Sequence, residues 1–490
     1  MENLLPLFIA IPLGMAFVNL LFSKFIKKIS PPLTLLVVIF QLLMALRLFG
    51  HASFNYAMGG WRPPLGITLV WDPLSQLLIL IISVVSLAVT FFAIPYMRQY
   101  TAGSKFYSLY LLIIAGMNGV VLTGDFFNLF VFLEIASIAS YALVAFGVEA
   151  EELEASFKYL ILGGVSSTII LLGIALLYAA TGTLNMAHMA TILHQGTPRN
   201  LLYFIFALFL MGFGLKSAMV PFHAWLPDAH PSAPAPISAM LSGLIIKALG
   251  VYAILRIFFI VMGIIPIVKT ALLVLGGLSM VIGVFLAVGQ WDFKRLLAYH
   301  SISQMGYVIV GIGLGTPLGI LGGLFHLLNH AIFKSLLFLC SGAFEFATGT
   351  RQLKSLGGLI RKMPWTGGSC SVAALSISGV PPFNGFWSKL IIIVALFQAH
   401  YYFLAAVTVF VSFMTLISFI KVQKYALFGT LPERLSHIKE SPVLMVVGVV
   451  SLALLCVGLG LFYPLYGASL LETVQHLILQ PANYLQYAMP

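Results

Sequence analysis

GGLFHLLNHAIFKSLLFLCSG, residues 322–342, decides the fold class of this chain. A helix needs about 20 apolar residues to cross hydrocarbon, and this run is long enough, yet it holds His326, His330 and Lys334. An ionisable side chain at membrane depth costs at least ~2.5–3.5 kcal/mol on the insertion scale, so it is rarely kept without a use. Working outward, the neighbouring runs repeat the pattern. Glu134 lies in FNLFVFLEIASIASYALVAF (127–146), Lys216 in FALFLMGFGLKSAMVPF (206–222) and Lys247 in ISAMLSGLIIKALGVYAIL (237–255). Lys389 follows PPFNGFW (381–387). Ionisable groups in one apolar run after another read as a charge or proton path through a membrane protein.

Composition agrees. Hydrophobic residues make up 61% and charged residues 8%, too little polar surface to cover a soluble globule of 490 residues. The expectation is an all-α integral membrane protein with about 14 transmembrane helices. Their cores are read at 4–22, 31–49, 74–96, 107–123, 127–147, 157–180, 201–221, 234–258, 267–289, 297–314, 319–345, 369–396, 401–425 and 442–463. Period-two alternation is absent, so strands are not expected. Basic residues follow the odd-numbered segments: Lys24, Lys27 and Lys28, then Arg98 and Lys105, then Lys294 and Arg295. Arg351, Lys354, Arg361 and Lys362 come next, then Lys421, Lys424, Arg434 and Lys439. The opposite side holds only a few, such as Arg62, Arg199 and Lys269. The basic side is therefore expected to be cytoplasmic, with both termini outside, in the cell membrane. The net charge of +11 is a topology signal and does not point to nucleic acid.

The first residues, MENLLPLFIAIPLGM, lack a basic n-region and read as a retained first helix. Cys340, Cys370 and Cys456 have neither metal nor redox spacing, and no glycine-rich phosphate loop exists. No cofactor and no metal is expected in this chain, so redox chemistry linked to it would occur in another subunit.

Two segments share an oddity. LKSAMVPFHAWLPDAHPSAPAP (215–236) and LSISGVPPFNGFWSKL (375–390) both set prolines and glycines beside a lysine within a span. Proline removes a backbone hydrogen bond, tolerated in lipid only where freed carbonyls face protein or water. Paired broken helices, the seventh and the twelfth, point to an internal repeat with the transport site at the breaks. The expected organisation is a three-helix segment at 1–100, a five-helix repeat at 101–258, a second repeat at 265–425, and a last helix with an amphipathic tail at 426–490. An odd number of helices makes the repeats inverted. Two unrelated proline kinks are the blander alternative.

At this point the chain resembles a known family. GLKSAMVPFHAWLPDAHPSAPAPISAMLSGLIIKALGVYAILR (214–256), FKRLLAYHSISQMGY (293–307), HLLNHAIFKSLLFLCSG (326–342) and SISGVPPFNGFWSKL (376–390) are similar to the antiporter-like subunits of respiratory complex I and its relatives. The relatives include Mrp-type sodium/proton antiporters and the archaeal membrane-bound hydrogenases and sulfane reductases. The resemblance covers roughly residues 70–425. It implies a path through Glu134, Lys216, Lys247, His326, His330 and Lys389. Lysine at 389 fits the Mrp and hydrogenase branches. VLTGDFFNLFVFLEI (121–135) and TGTLNMAHMA (181–190) look like the D-type component of Mrp antiporters and its hydrogenase counterparts, whereas PFHAWLPDAHPSAPAP (221–236) is closer to the complex I and hydrogenase wording than to the Mrp D-type component.

Glu134 is the natural partner of Lys216. At an assumed ~8 Å and an effective dielectric of ~20, two unit charges interact by about 2 kcal/mol. The expected sequence is that Glu134 holds Lys216 protonated until a neighbouring subunit weakens the pair. The proton then passes to the Lys247 side and through the histidines to Lys389. His326 and His330, at i and i+4, share one helix face, and histidine titrates near working pH. A third metal ligand is missing, and a purely structural pair is the alternative. Lys334 either joins the path or snorkels. His300 is either a side entrance or a packing residue. His223, Asp228 and His230 flank the seventh-helix break and either feed protons or satisfy freed carbonyls, the latter favoured for His230. Asp72 reads as an N-cap, and Asp125 as a turn residue or an outer ion contact. Glu149, Glu151, Glu152 and Glu154 read as an acidic cytoplasmic loop, either solvated or a cation funnel.

The resulting expectation is a proton-translocating subunit of a redox-driven hydrogenase-type complex, with or without coupled sodium. Its partners would be Mrp-like small membrane subunits and a hydrogenase or iron–sulfur module. One alternative is the D-type component of a stand-alone Mrp antiporter; another is a quinone-binding subunit. The tail (466–490) is expected on the outer surface or against a neighbour.

Overall fold

The computed structural model of the chain describes residues 2–22, 29–196, 198–463 and 468–488. Lys24, Lys27 and Lys28 lie outside the described residues. The helices are α1 Leu7–Leu21, α2 Ser30–Leu48, α3 Pro73–Tyr96, α4 Gly103–Leu122, α5 Phe126–Val144, α6 Ala150–Thr181 and α7 Met186–His194. Then come α8 Arg199–Lys216, α9 Leu226–Ser232 and α10 Ala235–Val261. The second half holds α11 Pro266–Val288, α12 Phe293–Gly313, α13 Pro317–Thr348, α14 Pro364–Ser378, α15 Asn384–Gln398 and α16 Tyr402–Val422. α17 Val443–Phe462, α18 Ala468–Leu479 and α19 Ala482–Ala488 close the chain.

Among the described residues, 12 helices are long and apolar enough to cross a membrane, and the chain is a multi-pass integral membrane protein. Two expected spans are not among them. α12 is long enough but carries His300, Ser301, Ser303 and Gln304, all buried. The segment expected at 369–396 is two short helices, α14 and α15, separated by Gly379 in the left-handed conformation. The seventh span is likewise broken, between α8 and α9.

Several expectations need correction. Strands β1 (Phe54–Ala57) and β2 (Thr68–Trp71) form a small antiparallel pair in the link between α2 and α3. Such a pair satisfies its own backbone where no membrane helix does. The acidic run is not a loop. Glu149 is the N-cap of α6 and forms a capping box with Glu152, while Glu151 and Glu152 lie in its first turn, where carboxylates complement the helix dipole. Apart from these corrections, and consistent with a place on the outer surface, the tail packs against the chain itself. Leu471, Val474, Leu477 and Tyr484 are buried, α18 packs against α3, α10 and α13, and α19 packs against α7 and β1.

Charged groups gather on one face. Arg351 pairs with Asp292 and lies 3.8 Å from Glu345, and Lys294 pairs with Glu345 at 2.9 Å. Lys158 and Arg295 both reach Asp228, at 3.0 and 3.5 Å. Arg434 bonds the Ser355 carbonyl, and Lys354 and Lys421 lie over the Trp291 ring. The loops after α11, α13 and α16 thus share this face.

Candidate functional site

Lys216 is the last residue of α8 because the chain ahead cannot continue the helix. Ala218 takes a positive φ of 55°, and Pro221 has no N–H to offer. The freed carbonyls find donors inside the protein, as lipid requires. Leu215 accepts from the Ala218 amide (3.1 Å) and the Trp225 indole (3.0 Å), and Gly214 from the Met219 amide (2.9 Å). The Val220 amide donates to Ser279 Oγ of α11 at 2.9 Å.

This end aims the Lys216 ammonium at α5. Its Nζ lies 3.8 Å from Glu134 Oε1 and donates to Ser137 Oγ (2.9 Å) and the Tyr141 hydroxyl (3.4 Å). Glu134, Ser137 and Tyr141 are spaced i, i+3 and i+7 and so share one face of α5. Ser167 of α6 donates a short hydrogen bond to the same Glu134 oxygen. Tyr141 reaches inward because residue 163 is glycine; a Cβ there would overlap the hydroxyl. Lys216 is buried, but the Glu134 side chain is 27% exposed, beside the exposed Val131 and Ile138. One member of the pair therefore touches the outer surface of the chain and the other does not.

Lys247 lies where α10 is wound as a π-helix, Leu241–Val251. Wide turns of this kind are rare and often mark functional sites. Lys247 Nζ donates to the Ser242 carbonyl five residues back, and Ser242 Oγ bonds Ser301 Oγ of α12 at 2.7 Å. Next come the α13 side chains. Both ring nitrogens of His330 lack a protein partner, and its ring stands 6.5 Å from that of His326. His326 bonds Ser388 of α15 through Nδ1 (2.9 Å) and Gln304 of α12 through Nε2 (3.2 Å). Lys334 donates to the Leu297 carbonyl and lies over the Phe338 ring. Lys389, on α15, donates to the Ile377 carbonyl freed at the end of α14 (2.7 Å) and to Ser412 (3.3 Å), and lies over the Tyr307 ring. Among the described residues, Lys247, Lys334 and Lys389 have no carboxylate partner.

The arrangement is a row of buried basic groups with one acid at its start. Residues 123–415, more than half of the chain, match the family described as NADH:quinone oxidoreductase/Mrp antiporter, transmembrane. The chain belongs to that family. It is 36% identical to the D-type component of the Na(+)/H(+) antiporter of Alkalihalophilus pseudofirmus over 99% of both chains. Its fold is similar to a chain of the Mrp complex from Dietzia sp., with a TM-score of 0.92 and 30% identity over 100% of this chain and 99% of the other. It is also similar to a chain of the membrane-bound sulfane sulfur reductase, an archaeal respiratory membrane complex, with a TM-score of 0.91 and 32% identity over 99% of both. This is an antiporter-like membrane subunit.

In this Mrp/complex I-type subunit the remaining predicted residues divide clearly. Asp228 is held by Lys158 and Arg295. His223 lies inside the break, two residues after Pro221, with its ring Nδ1 buried and without a protein partner. His230 was expected to satisfy a carbonyl and does not; its ring nitrogens are unpartnered and it packs on Phe338. The carbonyls there are taken by Ser238, Arg351 and Lys294 instead. His300 is buried within α12 and bonds Ser418 Oγ at 2.8 Å. Asp125 caps α5 through the Asn128 amide (2.8 Å). Asp72 caps α3 through the Ser75 amide (2.8 Å) and also forms a fully buried ion pair with Arg256 of α10. Sequence reading missed Arg256, Ser137, Tyr141, Ser167, Gln304 and Ser388. Ser137 and Tyr141 had a usable signal, their spacing from Glu134. The others come from distant segments.

Proposed function

We propose that this chain moves protons along Glu134, Lys216, Lys247, His330, His326 and Lys389, with Lys334 and His223 as side members. The supporting observation is that Lys216, Lys247, the α13 histidines, Lys334 and Lys389 follow one another, buried, from α8 to α15, and among the described residues only Lys216 of these is paired with an acid. Glu134 favours the proton on Lys216; loosening that pair releases the proton toward Lys247 and the α13 histidines. The hydroxyls of Ser137, Tyr141 and Ser388 and the Ser242 carbonyl hold the ionisable groups in place, and the hydroxyls offer exchangeable protons. Residues 101–258 and 265–425 are taken as inverted repeats, each with one broken helix and one lysine beside the break. The face carrying Arg295, Arg351, Lys354, Lys421 and Arg434 is taken as cytoplasmic, with the termini outside, in the cell membrane.

The chain acts within a larger membrane complex. Likeness to the sulfane reductase chain supports a redox-driven partner set with an iron–sulfur or hydrogenase module. Full-length likeness to the D-type component of an Na(+)/H(+) antiporter supports the second reading, an Mrp-type exchanger working with small membrane subunits. Lysines do not hold sodium, so a coupled sodium ion would use carboxylates or carbonyls elsewhere. Mild-detergent purification from the native membrane distinguishes the two. Nickel–iron or iron–sulfur subunits mark the first, and only membrane subunits mark the second. Transport by Lys216→Ala and Lys389→Ala tests the path, and wild-type coupling in both would sink it.

A further inference from the structure

Between α14 and α17, at the basic face, lies a groove of about 930 Å³. A further recess of about 320 Å³ shares Pro364, Trp365 and Leu454 with it and extends it to Val457. The wall contributed by α17 is formed by Val443, Val446, Val447, Val450 and Leu454, and its one polar member, Ser451, donates its hydroxyl to the Gly448 carbonyl of the same helix. From 443 to 457 a helix rises roughly 21 Å, and one leaflet of hydrocarbon is about 15 Å deep. The groove therefore runs the depth of a leaflet. A Cβ on Gly368 would meet no atom within 4 Å, so the α14 side is open there.

The mouth is basic. Arg361 and Lys362 line it, and among the described residues neither has a carboxylate partner. Glu440 is the acid at the mouth, and its carboxylate is already committed. One oxygen accepts the Trp365 amide (2.9 Å), and the other accepts the Thr366 hydroxyl (2.7 Å) and the Ser441 amide (2.9 Å). Trp365 is 64% exposed at the junction of the basic mouth and the apolar wall, where amphipathic rings meet lipid headgroups. Two free cations above a leaflet-deep apolar channel complement one kind of occupant.

We propose that this groove is a binding site for an anionic phospholipid, its phosphate held by Arg361 and Lys362 and an acyl chain lying along α17. Basic pockets between helices on the cytoplasmic side take such headgroups. The leaflet assigned rests on the orientation proposed above; the binding does not.

The full chain, purified with its native partner subunits, is placed in phosphatidylcholine nanodiscs doped with brominated phosphatidylglycerol or brominated phosphatidylcholine. Quenching lost on Trp365→Phe isolates the groove signal. The expected preference for phosphatidylglycerol at low salt is up to roughly 30-fold from two basic residues, falling in high salt. Arg361→Ala/Lys362→Ala should bring it to parity, and Val450→Phe, which fills the groove without adding an indole, should remove Trp365 quenching by both lipids. Equal quenching by the two lipids in the wild type would overturn the proposal. So would a preference that survives the double substitution. No quenching in the intact complex, with quenching in the isolated chain, would show that a protein partner fills the groove and overturn it too. None of these readouts depends on ion transport.

Discussion

Replacing Glu134 tests the first step most directly, and the structure supplies its size. At 3.8 Å from Lys216 and an effective dielectric of ~20, the charges attract by about 4 kcal/mol. The partial exposure of Glu134 lets solvent screen some of this, so about 2 kcal/mol is a working lower bound. At 1.36 kcal/mol per tenfold, Glu134→Gln should slow coupled transport by between about 30-fold and 1,000-fold. Glutamine can still accept from Ser167, so the loss reports charge more than packing. Glu134→Asp keeps the charge but withdraws it by about 1.5 Å, one carbon–carbon bond, which weakens the attraction by ~1 kcal/mol. A fall of about tenfold is expected. The assay is cation-induced collapse of a pH gradient in everted vesicles, with the whole complex expressed and normalised to its abundance. Glutamine within twofold of wild type, or aspartate and glutamine equal, would refute the reasoning.

Other outcomes follow from neighbouring contacts. Gly163→Ala should cost about 1–3 kcal/mol by overpacking against the Tyr141 hydroxyl, seen as a lower melting temperature in detergent. Adding Tyr141→Phe should recover only part of that loss, because the overlapped oxygen is gone while ring Cζ still lies 2.6 Å from the new Cβ. Asp72→Asn preserves an N-cap acceptor yet strands Arg256, a buried charge, so about 3–5 kcal/mol and most folded protein on size-exclusion should be lost; pairing it with Arg256→Met should restore folding. The two α13 histidines should separate. His326→Leu leaves Ser388 and Gln304 without their partner and should lower the melting temperature. His330→Leu breaks no protein hydrogen bond and should keep stability while stopping transport. Unimpaired transport in that variant would remove His330 from the path.

The parts legible in the sequence were those written in local pattern. Apolar run length gave the spans, and Pro221 with the Gly379–Pro382 stretch gave both breaks. The cost of a buried charge singled out Glu134 and Lys216, and the pair is closer than the ~8 Å assumed. Other features depend on contacts between segments far apart in the chain. Asp72 carries a correct N-cap signal, but nothing nearby announces Arg256. The π winding around Lys247 leaves no trace in hydrophobic periodicity, since α10 is buried all round. His230 was misjudged because Ser238, Arg351 and Lys294 reach its neighbourhood from elsewhere. The acidic run was misjudged because carboxylates before an apolar stretch suit a loop and a helix start equally.

Lys216, Lys247, Lys334 and Lys389, the four lysines of the row, share the one carboxylate of Glu134, and this also bears on traffic. Were all four protonated with Glu134 ionised, the interior would hold three uncompensated positive charges, four minus one. At ~2.5–3.5 kcal/mol each on the insertion scale, that burden is roughly 8–10 kcal/mol. Moving one charge through 100 mV costs only about 2.3 kcal/mol. A full row is therefore out of reach of the membrane potential. If protons take the proposed path, the row runs as a queue with few places, in which a proton enters as another departs, and the number delivered per turn is set by vacancy rather than by the number of lysines.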